Sequence, residues 1–276
     1  MSLKLAARAV DKPWGRIDLP ALFPNPRKRR IGEIWFEASG DSRLPLLVKY
    51  IFTSERLSIQ VHPNDAQAIP YGLPSGKEEC WYLLDCEPGA TIGIGLKHSL
   101  PEAAVRAAIA DGTIEQLIDW KPIAPGDIFF IPAGTIHAIG AGISLVEIQQ
   151  NSDITFRLYD YGRPRALHVD QGLEVSHLAP YEADRLHLND GQTRTLLTES
   201  SAPFEVDMVS WSAGQSVQPG GSAQCWFIPV VGEGSIDGQH FQPGECWLAG
   251  ADAVIDGARA GSALMAHSSP RVDHED

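Results

Sequence analysis

Leu57-Ser58-Ile59-Gln60-Val61-His62-Pro63 alternates apolar with polar side chains, the period-two pattern of a strand with one face buried in apolar packing and the other turned to a polar interior. Ser58, Gln60 and His62 share a face of such a strand, so one rigid element aims an amide and an imidazole at the same point. Working outward, Gly76-Lys77-Glu78-Glu79 and Pro132-Ala133-Gly134-Thr135-Ile136-His137 add a carboxylate and a second imidazole from separate stretches of chain. Gln60, His62, Glu79 and His137 form a nitrogen and oxygen donor set suited to a divalent ion such as zinc, with room for water or substrate. Ligands scattered over several strands fit the inside of a small barrel. A lone His-Pro in a loop is ordinarily structural; the combined pattern favours the metal reading.

The neighbouring sequence keeps the strand rhythm. Ile31-Gly32-Glu33-Ile34-Trp35-Phe36-Glu37, Leu46-Leu47-Val48-Lys49-Tyr50-Ile51-Phe52, Trp81-Tyr82-Leu83-Leu84, Ile128-Phe129-Phe130-Ile131 and Ser144-Leu145-Val146-Glu147-Ile148 are short apolar runs between turn residues, as strands require. Residues 99–119 read as two short helices outside the sheet, with Ser99/Glu102 and Thr113/Gln116 as candidate capping boxes and Asp111-Gly112 as a stop. The stretch Leu167 to Arg185 reads as a crossing, after which short strands and Gly-rich turns return without histidine ligands. The expected architecture is mostly β: two jelly-roll β-barrel modules with a short helical insertion, residues 1–180 carrying the metal and residues 181–276 metal-free. The polar tail from Ser268 to Asp276 is expected to fray.

Bulk composition narrows the function. The chain has 276 residues and a net charge of −13, a field that repels nucleic acid and anionic membranes. An anionic metabolite would need its own cluster of Lys and Arg. The basic run Arg27-Lys28-Arg29-Arg30, preceded by Pro24 and Pro26, reads as a solvated loop. Four cysteines without a Cys-x-x-Cys pair, in a chain large enough to fold without disulfides, suit a reducing cytoplasm. The first residues lack the apolar run of a signal peptide or spanning helix. Trp211, Trp226 and Trp247 are spaced for core burial. His98, His168, His177, His187, His240, His267 and His274 have no paired spacing, and each is expected at the surface or in a local cap.

The spacing Gly126-x5-Pro132-x-Gly134-x2-His137 matches the second motif of the cupin superfamily. The first cupin motif is stretched by the residues between His62 and Glu79, and Gln60 stands where many cupins have histidine. With those features the chain resembles the type I mannose-6-phosphate isomerases, in their compact bacterial form. The likeness runs through Lys12-Pro13-Trp14-Gly15, Gly32-Glu33-Ile34-Trp35, Leu57 to Asp65, Gly76 to Tyr82, Ile131 to His137, Glu147 to Asp153 and Arg157-Leu158-Tyr159-Asp160-Tyr161. It covers roughly residues 12–170 and contributes little in the last third.

The resemblance implies one Zn(II) per chain, held by Gln60, His62, Glu79 and His137, and a sugar-phosphate pocket lined by Lys49, Ser58, Lys77, Glu147 and Arg157. It implies an aldose–ketose isomerase that interconverts mannose 6-phosphate and fructose 6-phosphate through a cis-enediol, with Lys77, Arg157 and Glu147 as catalytic groups. Moving a proton between C2 and C1 needs an acid/base group and a partner for the developing oxyanion. Lys77 shares a face with Glu79 if the segment is extended; Arg157 stays charged and suits clamping of oxygen or phosphate. Glu147 equally fits a structural ion pair with Lys49 or Arg157, and Ser58 fits mere packing. Longer relatives carry a large helical insertion and a Tyr where this chain has Ile139, which leaves lid and sugar preference open; Gly162 stands where an acidic residue is common. An isomerase of another sugar phosphate, an iron cupin oxidising a small substrate, and a non-catalytic sugar-phosphate-binding cupin are the rival readings. Oligomeric state is not encoded.

Overall fold

The protein is described by a computed structural model, in which residues 1–40, 43–181, 186–188, 193–198, 202–220 and 224–268 are described. Its strands form four sheets among these residues, of seven, five, six and four strands. The seven-stranded sheet runs in the order Leu186–His187, Asp127–Ile131, Glu79–Cys86, Ile143–Gln150, Leu46–Phe52, Ile31–Glu37, Ala6–Arg16. Beside it lies the five-stranded sheet, Phe156–Tyr159, Ile59–Val61, His137–Ile139, Thr91–Leu96, Ile118–Pro122. The strand ladders are antiparallel throughout, as in Leu46–Phe52 on Ile143–Gln150.

Period-two alternation explains the layering. In Leu46–Phe52 every residue is buried, so neither face meets water and the strand must lie between two cores. Leu46, Val48, Tyr50 and Phe52 pack with Phe204, Val206, Trp226, Ile228 and Leu264 of the six-stranded sheet. Ile51 turns the other way, into a core shared with Trp81, Leu83, Phe129 and Leu145 and with Ile92, Ile94 and Ile139 of the five-stranded sheet. The reverse face of the five-stranded sheet, Ile59, Val61 and Leu96, is covered by Val105, Ala108 and Ile109 of a helix and by Leu173 and Val175 of another. Beyond the six-stranded sheet, Trp211, Phe227, Phe241 and Met265 join it to the four-stranded one. Trp211, Trp226 and Trp247 are all core residues, as their spacing predicts.

The chain is mostly β, as read from the sequence. Hydrogen bonding divides each pair of facing sheets into separate ladders among the described residues, and no closed barrel forms. Two strands reach across the chain: Leu3–Lys4 pairs with Trp247–Ala249, and Leu186–His187 pairs with Asp127–Ile131.

The helical insertion consists of Glu102–Asp111 and Ile114–Leu117, but neither expected capping box forms. Pro101 takes the N-cap position of the first, its fixed φ supplying the extended entry that Ser99 was expected to give. Thr113 donates its hydroxyl to Asp111 instead of capping. The capping box that does form, Asn64 with Gln67, opens the short helix Asp65–Ala68 in the loop that stretches the first motif. The crossing expected over 167–185 contains the helix Val169–Val175; residues 182–185, and the tail beyond 268 with His274, lie outside the described residues.

Candidate metal centre and its cavity

Two cross-strand rows face each other between the seven- and five-stranded sheets. In the five-stranded sheet, Arg157 pairs with Gln60 and Gln60 with His137. In the seven-stranded sheet, Trp35, Lys49, Glu147 and Trp81 lie side by side in that order, with Gln149 beside Glu79 in the next inward row. Directly opposed residues of antiparallel strands hold their side chains within about 5 Å, so the register itself assembles the site.

The ligand atoms of His62, Glu79 and His137 all lie within 4.8 Å of one another. His62 Nε2 is 3.2 Å from Glu79 Oε1 and His137 Nε2 is 3.8 Å from Glu79 Oε2. Each imidazole donates its Nδ1 proton to a backbone carbonyl, His62 to Ile154 at 2.8 Å and His137 to Thr135 at 2.9 Å. That fixes the tautomer and leaves both Nε2 lone pairs turned toward Glu79, the arrangement of metal-binding histidines. Gln60 completes the group, its amide nitrogen 3.3 Å from His137 Nε2 and its oxygen accepting from the Ser58 hydroxyl at 3.1 Å. A half-turn of the amide would present the oxygen instead, with the hydroxyl switching from donor to acceptor. Glu79 Oε1 is buried and makes no well-angled hydrogen bond. The carboxylate, with one imidazole lone pair facing each of its oxygens and Lys77 beside Oε1, offers a donor set that fits a divalent cation.

Backbone conformation brings His137 inward. Gly134 has φ +81° and packs so closely on His177 that a Cβ would stand 2.8 Å from its ring. Only glycine adopts this left-handed turn without cost, and the strand that follows it starts at His137.

Charge is dense and dry here. Burial pushes the His62 imidazole down to about 3, helped by the neighbouring Lys77 ammonium, so the ring is neutral at pH 7. Burial lowers His137 in the same direction. Burial alone would raise Glu79, but the Lys77 ammonium beside it overrides burial and holds the carboxyl well below the usual range. Lys77 Nζ sits 2.7 Å from Glu79 Oε1 and 3.2 Å from His62 Nε2. Glu147 is pushed up by burial and by the charge of Glu79, against the pull of Lys49 at 2.9 Å. The Trp81 indole N–H spans the two carboxylates, 3.1 Å from Glu79 Oε2 and 3.0 Å from Glu147 Oε2. Lys49 also donates to Gln149.

A cavity of about 220 Å³ opens onto this group; its wall includes Lys49, Ser58, Gln60, Lys77, Glu147 and Arg157. His62 and Glu79 contact Lys77 of that wall, and His137 contacts Gln60. The residues read from the sequence are therefore brought together, and Glu147 lies in the cavity wall and pairs with Lys49. Trp81, Gln149, Lys12, Glu33, Asp153, Arg165 and Asp160 were not assigned roles from the sequence. Extending period two from Glu79 and Glu147 reaches Trp81 and Gln149; no local signal marks Arg165, which follows a turn. Outside the site, His187 pairs with Asp127 at 2.9 Å and His168 Nδ1 accepts the Arg157 backbone N–H, local roles as expected. Arg29 and Arg30 pair with Asp11 and Glu55 on the exposed loop. The four cysteines are free, and no helix among the described residues is long and apolar enough to cross a membrane.

No family model matches the chain. A mannose-6-phosphate isomerase of Streptococcus mutans is 37% identical over 209 residues, covering 73% of this chain and 65% of that protein. Mannose-6-phosphate isomerase ManA of Bacillus subtilis is 37% identical over 219 residues, covering 75% of this chain and 68% of its own length. The chain thus spans about two thirds of the relatives it matches. Among solved structures, a mannose 6-phosphate isomerase of Bacillus subtilis superimposes with a TM-score of 0.81 at 24% identity, over 96% of this chain and 99% of that one. A zinc-bound mannose 6-phosphate isomerase gives 0.72 at 16% identity, over 98% and 100%. At these identities the structures speak for the fold.

Proposed function

The chain belongs to the mannose-6-phosphate isomerase family, and from that premise we propose that it interconverts mannose 6-phosphate and fructose 6-phosphate, in the cytoplasm, with one zinc ion per chain. The observation that carries the reading is the convergence of His62, Glu79 and His137 within 4.8 Å beside a cavity walled by Lys49, Lys77 and Arg157. In this reading the two pairs of facing sheets are cupin-like modules divided near residue 180, the first catalytic and the second metal-free.

Gln60, His62, Glu79 and His137 would hold the metal, which when bound would polarise the sugar carbonyl and its neighbouring hydroxyl. Lys77 Nζ, beside His62 and Glu79, carries the proton between C2 and C1 of the open-chain sugar. Arg157 stays cationic, although burial lowers it, and steadies the oxyanion of the cis-enediol. Lys49 and Ser58 orient the hydroxyls, and the buried wall keeps water from the enediol. Glu147 is the second candidate for the proton, because its carboxyl is pushed toward neutrality.

A coupled assay of both sugar phosphates on metal-quantified protein tests this. His137→Ala loses metal and activity together. Lys77→Ala keeps metal and loses about 10²- to 10⁴-fold in turnover, the usual contribution of a positioned acid/base. If Glu147→Gln alone shows that loss while Lys77→Ala does not, the proton passes to Glu147. Normal rates in His137→Ala and Lys77→Ala reject the site.

A further inference from the structure

Lys77 stands outside the strand ladder it works beside. The strand that carries Glu79 begins at Glu79 itself, so Lys77 lies two residues ahead of it, at the end of the loop that stretches the first motif after His62. A long side chain on loop backbone keeps its rotamer and backbone freedom unless polar groups tie it down. Its Nζ nevertheless sits 2.7 Å from Glu79 Oε1 and 3.2 Å from His62 Nε2. Something other than strand pairing aims it.

Three consecutive amides show what does. The Gly76 N–H donates to the Asp65 carboxylate at 2.7 Å, the Lys77 N–H to the Pro63 carbonyl at 3.0 Å and the Glu78 N–H to the Gln150 side-chain oxygen at 3.0 Å. The acceptors are themselves joined, since Gln150 Nε2 donates to the same Asp65 Oδ1 at 3.0 Å and the Gln150 backbone N–H donates to the Glu78 carbonyl at 3.1 Å. Gln150 is buried at the end of Ile143–Gln150, the strand that carries Glu147, so this clamp ties the loop to the core sheet. Gly76 lets it close: a Cβ there would stand 2.4 Å from the Asn64 carbonyl carbon and from the Pro63 oxygen, a backbone approach open to glycine alone. At the other end, the capping box of Asn64 and Gln67 fixes the helix start that presents Asp65.

Among the described residues of 63–78, Lys77 alone lines the cavity, and neither Gln150 nor Asp65 does. We propose that Gln150 and Asp65 are positioning residues for the isomerisation, holding the Gly76-Lys77-Glu78 backbone so that the Lys77 side chain faces the reacting carbons. Both act through the backbone they hold. The assignment rests on the reading of this site in which Lys77 carries the proton.

The test uses the full, zinc-loaded chain, with steady-state kinetics on mannose 6-phosphate, zinc quantification and NMR hydrogen exchange at the Gly76, Lys77 and Glu78 amides. Gln150→Met keeps the length of the side chain and removes both of its hydrogen bonds. It lowers kcat about 10- to 100-fold, the effect of misplacing a reacting group by roughly 1 Å, while KM stays within about threefold and bound zinc stays at the parent level. The three amides exchange about 10- to 100-fold faster as the clamp opens. In the Lys77→Ala background Gln150→Met has no further effect on kcat, because the group it positions is gone. A merely structural role would lower kcat by the same factor in both backgrounds; that result, or a kcat within about twofold of the parent in folded Gln150→Met, overturns the assignment. Asp65→Ala breaks the clamp from its exposed side and repeats the pattern, and it decides if Gln150→Met does not fold. A parent that does not isomerise mannose 6-phosphate retires the proposed reaction, and the amides then judge the clamp alone: freed in Gln150→Met they support it, unchanged they overturn it.

Discussion

Replacing Trp81 by Phe removes one N–H from the middle of the charged site and leaves most of the ring. Trp81 is fully buried, and its indole donates at 3.1 Å to Glu79 and 3.0 Å to Glu147. A hydrogen bond to a charged group contributes about 1.5–3 kcal/mol, and here one proton is shared between two acceptors, so a loss of about 3 kcal/mol is expected from the polar part. Trimming the indole to a phenyl adds roughly 1 kcal/mol for the space left behind. A double-mutant cycle with Glu147→Gln separates the two, since the packing loss is present in both backgrounds and cancels. Urea denaturation of the four proteins should give a coupling of about 1.5–3 kcal/mol. The same N–H orients Glu79, so zinc affinity by competition with a chelator should fall about 10- to 100-fold in Trp81→Phe. A coupling below about 0.5 kcal/mol with unchanged zinc affinity would refute the view that the indole bridges the two carboxylates.

Lys49→Met strands the buried Glu147 carboxylate and should cost about 3–5 kcal/mol by urea denaturation, whereas adding Glu147→Leu should recover much of it; equal stability of the single and double variants argues against the pair. Gly134→Ala forces an L-residue to φ +81° with its Cβ against His177. It should lose about 1–3 kcal/mol of stability together with metal affinity, and a neutral outcome would mean the turn relaxes freely. For pH dependence, burial tends to raise Glu33, but Lys49, Lys12 and the Trp35 indole N–H bring it below its ordinary value of 4.5. A depressed carboxyl contributes stability in full above 4.5 and loses it as pH falls through its folded value. Glu33→Gln should therefore be less stable than the parent at pH 7, with the gap closing at pH below 4.5; a gap that widens on acidification sinks this assignment.

Much of this protein is written along the chain. A strand's two faces are set by a repeat of two, so Ser58, Gln60 and His62 had to share a side, as did Glu79 with Trp81 and Glu147 with Gln149. Turn chemistry is equally local: Gly126 and Gly134 are needed where φ is positive, and the motif spacing follows from that. The capping boxes were misread: Pro101 rather than Ser99 takes the N-cap of the first helix, and Thr113 holds the N-cap of the second but gives its hydroxyl to Asp111, by geometry that spacing does not reveal. What only the tertiary structure decided is which rows meet. Strand register places Lys49 beside Glu147 and Glu147 beside Trp81 although the first pair is separated by 98 residues. The turn after Tyr159 swings Arg165 onto Asp160 and into the cavity. Local sequence fixes the direction in which a side chain points, because that depends on backbone dihedrals alone. Its neighbours, and hence its charge state, depend on pairing between distant strands and on burial, which the packed sheets together determine.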